Sequence, residues 1–353
     1  MQKVLLGMSG GVDSSASAII LKEQGYEVIG TTMSLCPNGS CCNLEAYLDA
    51  KAVCKKLGIE HFIFEATGEF KKYVIDDFID AYKKGLTPNP CIECNRFLKF
   101  GMMYEKAKQL GCDYVATGHY AKTEYSEKYE RYVLKKSNEE KKDQTYFLYT
   151  MPKEEVEHII FPLQEFISKQ DTRKLVEENG LNVAKKRDSQ EVCFVPDGDY
   201  KNFLKMNIKD SEIKKGNIVL KNGDILGRHE GIINYTIGQR KGLGISYKEP
   251  LYVVDLNTEK NEVIVGEEKD LYKKELYANK INWLAIDELK EPMKCYAKIR
   301  YRAKEALAII ETNEDGVVKV KFEKPQRAIT KGQSVVFYDE DGVVIGGGII
   351  MSQ

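Results

Sequence analysis

The sequence predicts an α/β domain built on a parallel sheet, followed by a small central domain and a C-terminal β-barrel. Three observations predict it. Short apolar runs alternate with helical periodicity over the first third of the chain, and glycines stop most of the helices. After about residue 205 that periodicity fades into short alternating runs separated by turn dipeptides.

Taken in order, Lys3–Gly7 reads as an apolar strand and Gly7–Gly11 as a turn. A helix from Asp13 to Gln24 places Ala16, Ile19 and Ile20 on one face, and Gly25 ends it. Glu27–Met33 is a second strand, Glu45–Leu57 a helix stopped by Gly58, and His61–Glu65 a third strand. Phe70, Tyr73, Val74, Phe78 and Ala81 mark another helix at 3.6 spacing. A helix over Phe97–Leu110 then leads through Gly111 to a strand at Tyr114–Thr117. Ligands of such sheets sit beyond the carboxyl ends of the strands. The later runs NIVLKNGDILG, PLYVVDLNTEKNEVIVG, KCYAKIRYRAKEALAIIE, GVVKVKFE and SVVFYDEDGVVIGGGII read as hairpins. The expected domains are 1–205, 206–274 and 275–353.

A chain of 353 residues suits two or three domains, and 42% hydrophobic residues suffice for their cores. No apolar run approaches the roughly 20 residues of a membrane span. The opening MQKVLLGMSGGVDSS breaks into a glycine-rich turn and lacks a signal peptide's apolar region, so a cytoplasmic chain with no membrane partner is the expectation, and a monomer is assumed without a signal in the residues for it. Nine cysteines in such a chain point to thiol chemistry or metal ligation at some positions and burial at others. With a net charge of −1, any RNA site must be a local basic surface such as KKSNEEKKDQ, AKKRD, KIRYRAK or EKPQRAITKG.

Ser9-Gly10-Gly11-Val12-Asp13-Ser14-Ser15 follows a strand and opens a helix. Two glycines let the backbone turn tightly, and the N–H groups of the helix start face a polyanion together with the serine hydroxyls. The lysine of a GxxxxGK[ST] loop is absent, which suits holding pyrophosphate as a leaving group better than transferring a terminal phosphoryl. The motif resembles the PP-loop of ATP pyrophosphatases, the adenine nucleotide alpha hydrolase-like fold. That resemblance implies ATP contacts at Gly7, Met8, Ser9, Gly10, Gly11, Val12, Asp13 and Ser14, with Met33 against adenine. It also implies Mg²⁺, with Asp13 as a carboxylate on the metal or phosphate side.

Thr87-Pro88-Asn89-Pro90-Cys91-Ile92-Glu93-Cys94-Asn95 carries a CxxC pair behind two prolines, expected on an extended path just ahead of the helix near Phe97. A thiol close to a helix start has its thiolate stabilised. A lone CxxC is shared by zinc sites, redox pairs and clusters, and no second CxxC exists for a Cys₄ zinc knuckle. Cys193 follows the basic Lys186-Arg187, while Cys36, Cys41 and Cys42 group in a loop after the second strand. Cys54, Cys112 and Cys295 read as packing residues.

TPNPCIECNRFLKFG, TGHYA at 117–121, KDQTYFLY at 142–149, KRDSQEVCFVP at 186–196 and YTIGQRKGLGI at 235–245 occur in this order. Together they resemble the tRNA-specific 2-thiouridylase family over essentially the whole chain. The resemblance implies ATP-dependent adenylation of the wobble uridine at C2, then sulfur transfer to give 2-thiouridine, AMP and pyrophosphate. It implies that Cys193 takes a persulfide sulfur from a donor protein and that Cys94 is the second catalytic thiol, the two able to form a disulfide during turnover. It further implies an ATP contact at Gly118, contacts with the target base at Asn89, Pro90 and Cys91, and tRNA contacts at His119, Lys142, Asp143, Gln144, Arg300, Tyr301 and Gln333. Many relatives carry aspartate where Cys91 stands, so an acid/base role there is in doubt. The alternative is a [4Fe–4S] cluster on Cys91, Cys94 and Cys193. Another PP-loop ligase or synthetase, or a non-catalytic RNA-binding protein, would leave the cysteines or the intact loop idle.

Overall fold

The computed structural model describes residues 1–36, 44–166, 168–186, 192–195 and 198–351. Strand β1 (Lys3–Gly7) buries Val4, Leu5 and Leu6 completely, as a strand covered on both faces must. Helix α1 (Val12–Glu23), strand β2 (Glu27–Ser34), helix α2 (Leu44–Leu57) and strand β3 (Glu60–Glu65) follow. Helix α3 spans 67–83 and helix α4 spans 90–109, each widened by a π-helical stretch, Lys71–Ile75 in α3 and Cys94–Met102 in α4. Strand β4 (Tyr114–Ala116) pairs with β1.

A hairpin of β5 (Lys122–Ser126) and β6 (Arg131–Lys135) comes next, then a two-residue strand β7 (Ile159–Ile160). Strands β1–β4 and β7 form one parallel sheet in the order β3-β2-β1-β4-β7. The chain winds from β1 to one side and returns through β4 on the other, so the strand order reverses between them. That is where an open α/β sheet leaves a crevice at its carboxyl edge. Alternation along β1 sorts the two faces. Val4 and Leu6 pack with α1 and α2, whereas Leu5 packs with Met103 and Ala107 of α4.

Helix α5 (Lys169–Glu178) covers α1, and helix α6 (Tyr200–Asn207) leads into the middle unit. There β8 (Gly216–Leu220) and β9 (Ile225–His229) form one hairpin, β10 (Tyr252–Asn257) and β11 (Glu262–Gly266) another, joined by a parallel β11–β8 pairing. Strands β12 (Tyr272–Trp283), β13 (Met293–Lys298), β14 (Ala306–Thr312), β15 (Val318–Arg327), β16 (Ser334–Tyr338) and β17 (Val344–Ile350) close into a barrel. Closure removes the open edges of the sheet.

One expectation needs correcting. The helix that carries the CxxC begins at Pro90, not near Phe97. Proline is tolerated at the first helical position because its missing N–H has no intrahelical partner there anyway, and Asn89 caps the helix by accepting from the Cys91 N–H at 3.2 Å.

Helix α4 is where the three units meet. Cys94 and Leu98 share an apolar cluster with Ile218, Val253, Val263 and Val265 of the middle sheet. Ile92 and Phe100 share another with Val336, Tyr338 and Val344 of the barrel. The barrel also grips the segment before α4. The Thr87 N–H donates to Lys331 O at 2.9 Å, and the Gln333 amide donates to Thr87 O at 2.8 Å. Gly332 makes that grip possible, at φ +86° and with its Cβ position only 2.8 Å from Leu86 Cβ and 2.9 Å from Thr87 N. Gly332→Ala is therefore expected to destabilise the fold by about 1–3 kcal/mol, measured by denaturant unfolding.

Candidate active site

The loop after β1 meets the crevice. The Ser14 hydroxyl donates to Gly11 O at 3.2 Å and accepts from the Ser9 N–H at 3.3 Å, while Ser15 donates to the same carbonyl at 2.8 Å. Thr32 of β2 ties Met8 O at 2.8 Å. Gly11 occupies the N-cap of α1 in an extended conformation and offers no side-chain cap. The first N–H groups of α1 are thus left for an anion. Gly118, just past β4, lies against this helix start, its Cβ position 2.9 Å from Asp13 C and from Ser14 N. Gly118 thus abuts the continuous segment Gly7, Met8, Ser9, Gly10, Gly11, Val12, Asp13 and Ser14, of which Met8, Gly10, Val12 and Ser14 are buried. The Asp13 carboxylate accepts from Lys169 and from the Tyr120 hydroxyl at 3.1 Å. An oxygen donor of this kind fits Mg²⁺, which binds through one or two carboxylates and substrate phosphates.

Cys94 is 9% exposed and belongs to the apolar cluster that also holds Phe70, Phe78 and Phe194. Cys193, half-buried, packs against the same cluster, as do Met33 and Cys36. The aromatic partners explain the meeting. Phe194 lies edge-on to Phe70 and Phe78, at centroid distances of 5.8 and 5.3 Å, and brings its neighbour Cys193 to α3 and α4. Cys91 is exposed in the first turn of α4, where the field of the helix start acts, whereas Cys94 lies one turn further in. Among the described residues no set of three or more His, Cys, Asp or Glu side chains is arranged to hold a metal. Cys91, Cys94 and Cys193 are not grouped as such a set, and the iron–sulfur reading is not favoured. Cys41, Cys42 and Arg187 lie outside the described residues. Burial pushes the thiols of Cys54 and Cys295 up to about 12, which makes them inert packing groups.

The expected RNA contacts divide into two groups. Asn89, Pro90 and Cys91 sit at the start of α4, just after Thr87, whose carbonyl accepts from Gln333. Lys142 and Asp143 lie near Tyr301, with the Tyr301 ring 4.3 Å from Phe147 and Asn95 of α4 donating to Phe147 O at 3.0 Å. Arg300 and Tyr301 do not face opposite sides of a strand, because β13 ends at Lys298 and they occupy the turn beyond it. Arg300 donates to Ala328 O and to Thr330 Oγ1 at 2.6 Å. Asp143 is 4% exposed and accepts from Thr145 Oγ1 at 2.7 Å and the Ser137 N–H at 3.2 Å. Burial raises its carboxyl above the usual range, offset in part by the Thr145 hydroxyl. Neither Asp143 nor Gln144 caps the following helix by its side chain; Gln144 accepts instead from the Tyr120 N–H at 2.9 Å.

His119 is buried, and Lys99 of α4 reaches its Nε2 at 3.3 Å. An ammonium only donates, so Nε2 accepts and Nδ1–H donates to Thr117 Oγ1 at 2.7 Å. Burial, aided by the Lys99 charge, holds the imidazole well below its ordinary range. Sequence reading passed over Lys99, although it stands in the same FLKFG stretch as the thiol helix.

With this geometry established, the chain was compared with known proteins. It matches the tRNA methyl transferase HUP domain over residues 2–197, the tRNA methyl transferase PRC-barrel domain over 201–267 and the aminomethyltransferase beta-barrel domain over 273–350. The tRNA-specific 2-thiouridylase MnmA of Acetivibrio thermocellus is 53% identical over 358 residues, covering 99% of both chains. The chain belongs to the tRNA-specific 2-thiouridylase family. Another 2-thiouridylase, from Clostridioides difficile, is 51% identical over 356 residues, covering 99% of this chain and 98% of its own. Among solved structures, the U34-tRNA thiolase NcsA from Methanococcus maripaludis with its [4Fe-4S] cluster is 20% identical, with a TM-score of 0.37 over 60% of this chain and 68% of that one, too distant to bear on the chemistry. No described helix of the chain is long and apolar enough to cross a membrane.

Two outcomes are expected. Gly118→Ala drives a methyl group into the start of α1, and ATP binding should weaken by about tenfold or more in calorimetric titration, with circular dichroism unchanged. His119 stays neutral when folded but takes up a proton in the unfolded chain as pH falls below about 6.5. Stability is thus full above that pH and declines below it, and His119→Gln should flatten the decline in unfolding series run between about pH 7 and 5.

Proposed function

We propose that this chain 2-thiolates the wobble uridine of tRNA, with ATP as the activating substrate and a persulfide as the sulfur source. The observation that carries the reading is the shared cluster: Cys94 and Cys193, 99 positions apart in number, pack on one apolar core together with Met33 at the end of β2. The phosphate loop occupies the same carboxyl edge of the sheet.

A uracil carbonyl oxygen is a poor leaving group. The N–H groups at the start of α1 and the Ser9, Ser14 and Ser15 side chains hold the phosphates so that the C2 oxygen of uridine attacks the α-phosphorus and pyrophosphate departs. Magnesium, held by Asp13, supplies charge neutralisation at the phosphates when bound. The terminal sulfur of a persulfide on Cys193 then attacks C2 and AMP leaves with the oxygen. The Cys94 thiolate attacks the remaining S–S bond, which leaves sulfur on the base and a Cys94–Cys193 disulfide. Two electrons from an external thiol reset the pair. Asn89, Pro90 and Cys91 would border the flipped base, since a modifying enzyme must take its target out of the stack. Lys142, Gln144, Arg300, Tyr301 and Gln333 lie where the surrounding RNA would rest, and buried His119 and Asp143 act from beneath by fixing the loops that carry those contacts. A sulfur-donor protein must reach Cys193, and the chain works as a monomer on one tRNA.

Nucleoside analysis of tRNA incubated with ATP and a persulfide donor tests this. Cys94→Ala and Cys193→Ala should each reduce 2-thiouridine to background while ATP binding persists. Cys91→Ser should retain product; loss of product together with stoichiometric iron in anaerobically purified wild type would overturn the persulfide route.

A further inference from the structure

The phosphate loop has no lysine between Ser9 and Ser15, yet a half-buried lysine ammonium stands at its edge. Lys169 is the first residue of α5, and its Nζ pairs with Asp13 Oδ1 in the first turn of α1. The lysine side chain is only 14% exposed, while the Asp13 side chain, at 33%, keeps an open face. The pair is built in on one side. The Tyr120 hydroxyl donates to the same Asp13 oxygen at 3.1 Å and bonds Thr172 Oγ1 at 2.9 Å, one turn along α5 from Lys169. The ammonium also lies 5.9 Å from the Tyr120 ring centroid. Tyr120 follows Gly118 and His119, so the same short loop that touches the start of α1 also positions this lysine.

Holding α5 to α1 does not require such a pair. Val176 of α5 already shares an apolar cluster with Ala16 and Ile19 of α1. Confining a lysine and removing most of its hydration is costly, and breaks even only if the charge has a task. A polyanion at the start of α1 provides one.

We propose that Lys169 is a phosphate ligand of ATP, the spatial replacement for the lysine that the loop lacks, and that its pairing with Asp13 is the nucleotide-free arrangement. In that arrangement each of the two side chains neutralises the other. When nucleotide enters, Asp13 turns to the accompanying magnesium and Lys169 to a phosphate oxygen, so neither charge is left unpaired in either state. The inference rests on the nucleotide reading of the loop.

Binding measured on the full chain without tRNA separates the possibilities. Titrations of ATP and of adenosine, each with magnesium, are compared for wild type, Lys169→Met and Lys169→Arg. Lys169→Met should weaken ATP by about tenfold or more and leave adenosine unchanged, and Lys169→Arg should recover much of the loss. An unchanged ATP affinity in Lys169→Met overturns the inference while leaving the loop reading intact. So does an equal loss for ATP and adenosine, which marks a merely structural tie. A wild type that binds neither ligand overturns the loop reading itself, and this inference with it.

Discussion

Helix α4 is buried on three sides by three separate bodies, and most of the site's geometry depends on that burial. Its far end lies on the parallel sheet through Met103 and Ala107, its middle faces the central unit through Cys94 and Leu98, and Ile92 and Phe100 face the barrel. A thiol placed on a surface helix would be free to shift by more than the reach of a covalent transfer. Here Cys94 is fixed relative to the phosphate loop because the sheet positions both, and relative to Cys193 because the Phe194 ring is wedged against Phe70 and Phe78. The later domains are thus part of the active site's support, even though the two thiols and the loop all lie within the first 193 residues.

The charges are arranged with similar economy. Among the described residues, three lysines near the crevice each have a partner. Lys169 meets Asp13, Lys186 meets Asp49 at 2.6 Å, and Lys99 meets the neutral ring of His119. Asp49 itself stands beside Gly10, whose Cβ position is 3.1 Å from Asp49 Cβ.

Much of this was legible in the sequence. The first four parallel strands announce themselves as apolar runs bounded by glycine, and the hairpins by their turn dipeptides. The loop stands out by its local pattern, whereas Cys193 has none of its own and drew notice only through the ordered set of motifs around it. What escaped lacked local contrast. β5 and β6 are rich in charge, and β7 is two residues long, paired with β4 and tied to β5 by the Thr123 hydroxyl on Ile159 O. The long β12 mixes lysines with aromatics and shows its role only when the barrel closes. The start of α4 was misplaced because proline breaks a helix everywhere except in its first turn. Lys169 is an ordinary lysine in sequence; only the packing of α5 on α1 reveals its neighbour.

The wide turn inside α4 has a mechanical meaning. An α-helix advances about 100° per residue, so one residue beyond the regular repeat rotates everything after it by that amount. Across Cys94–Met102 the helix makes that adjustment, closing with Met103 N–H on Leu98 O. The thiol-bearing half can therefore look toward the middle unit while the other half keeps its apolar side on the sheet. Shortening the stretch by a single amino acid would restore ordinary winding and swing the sulfur out of phase with its partner, with no atom of the reaction centre itself removed.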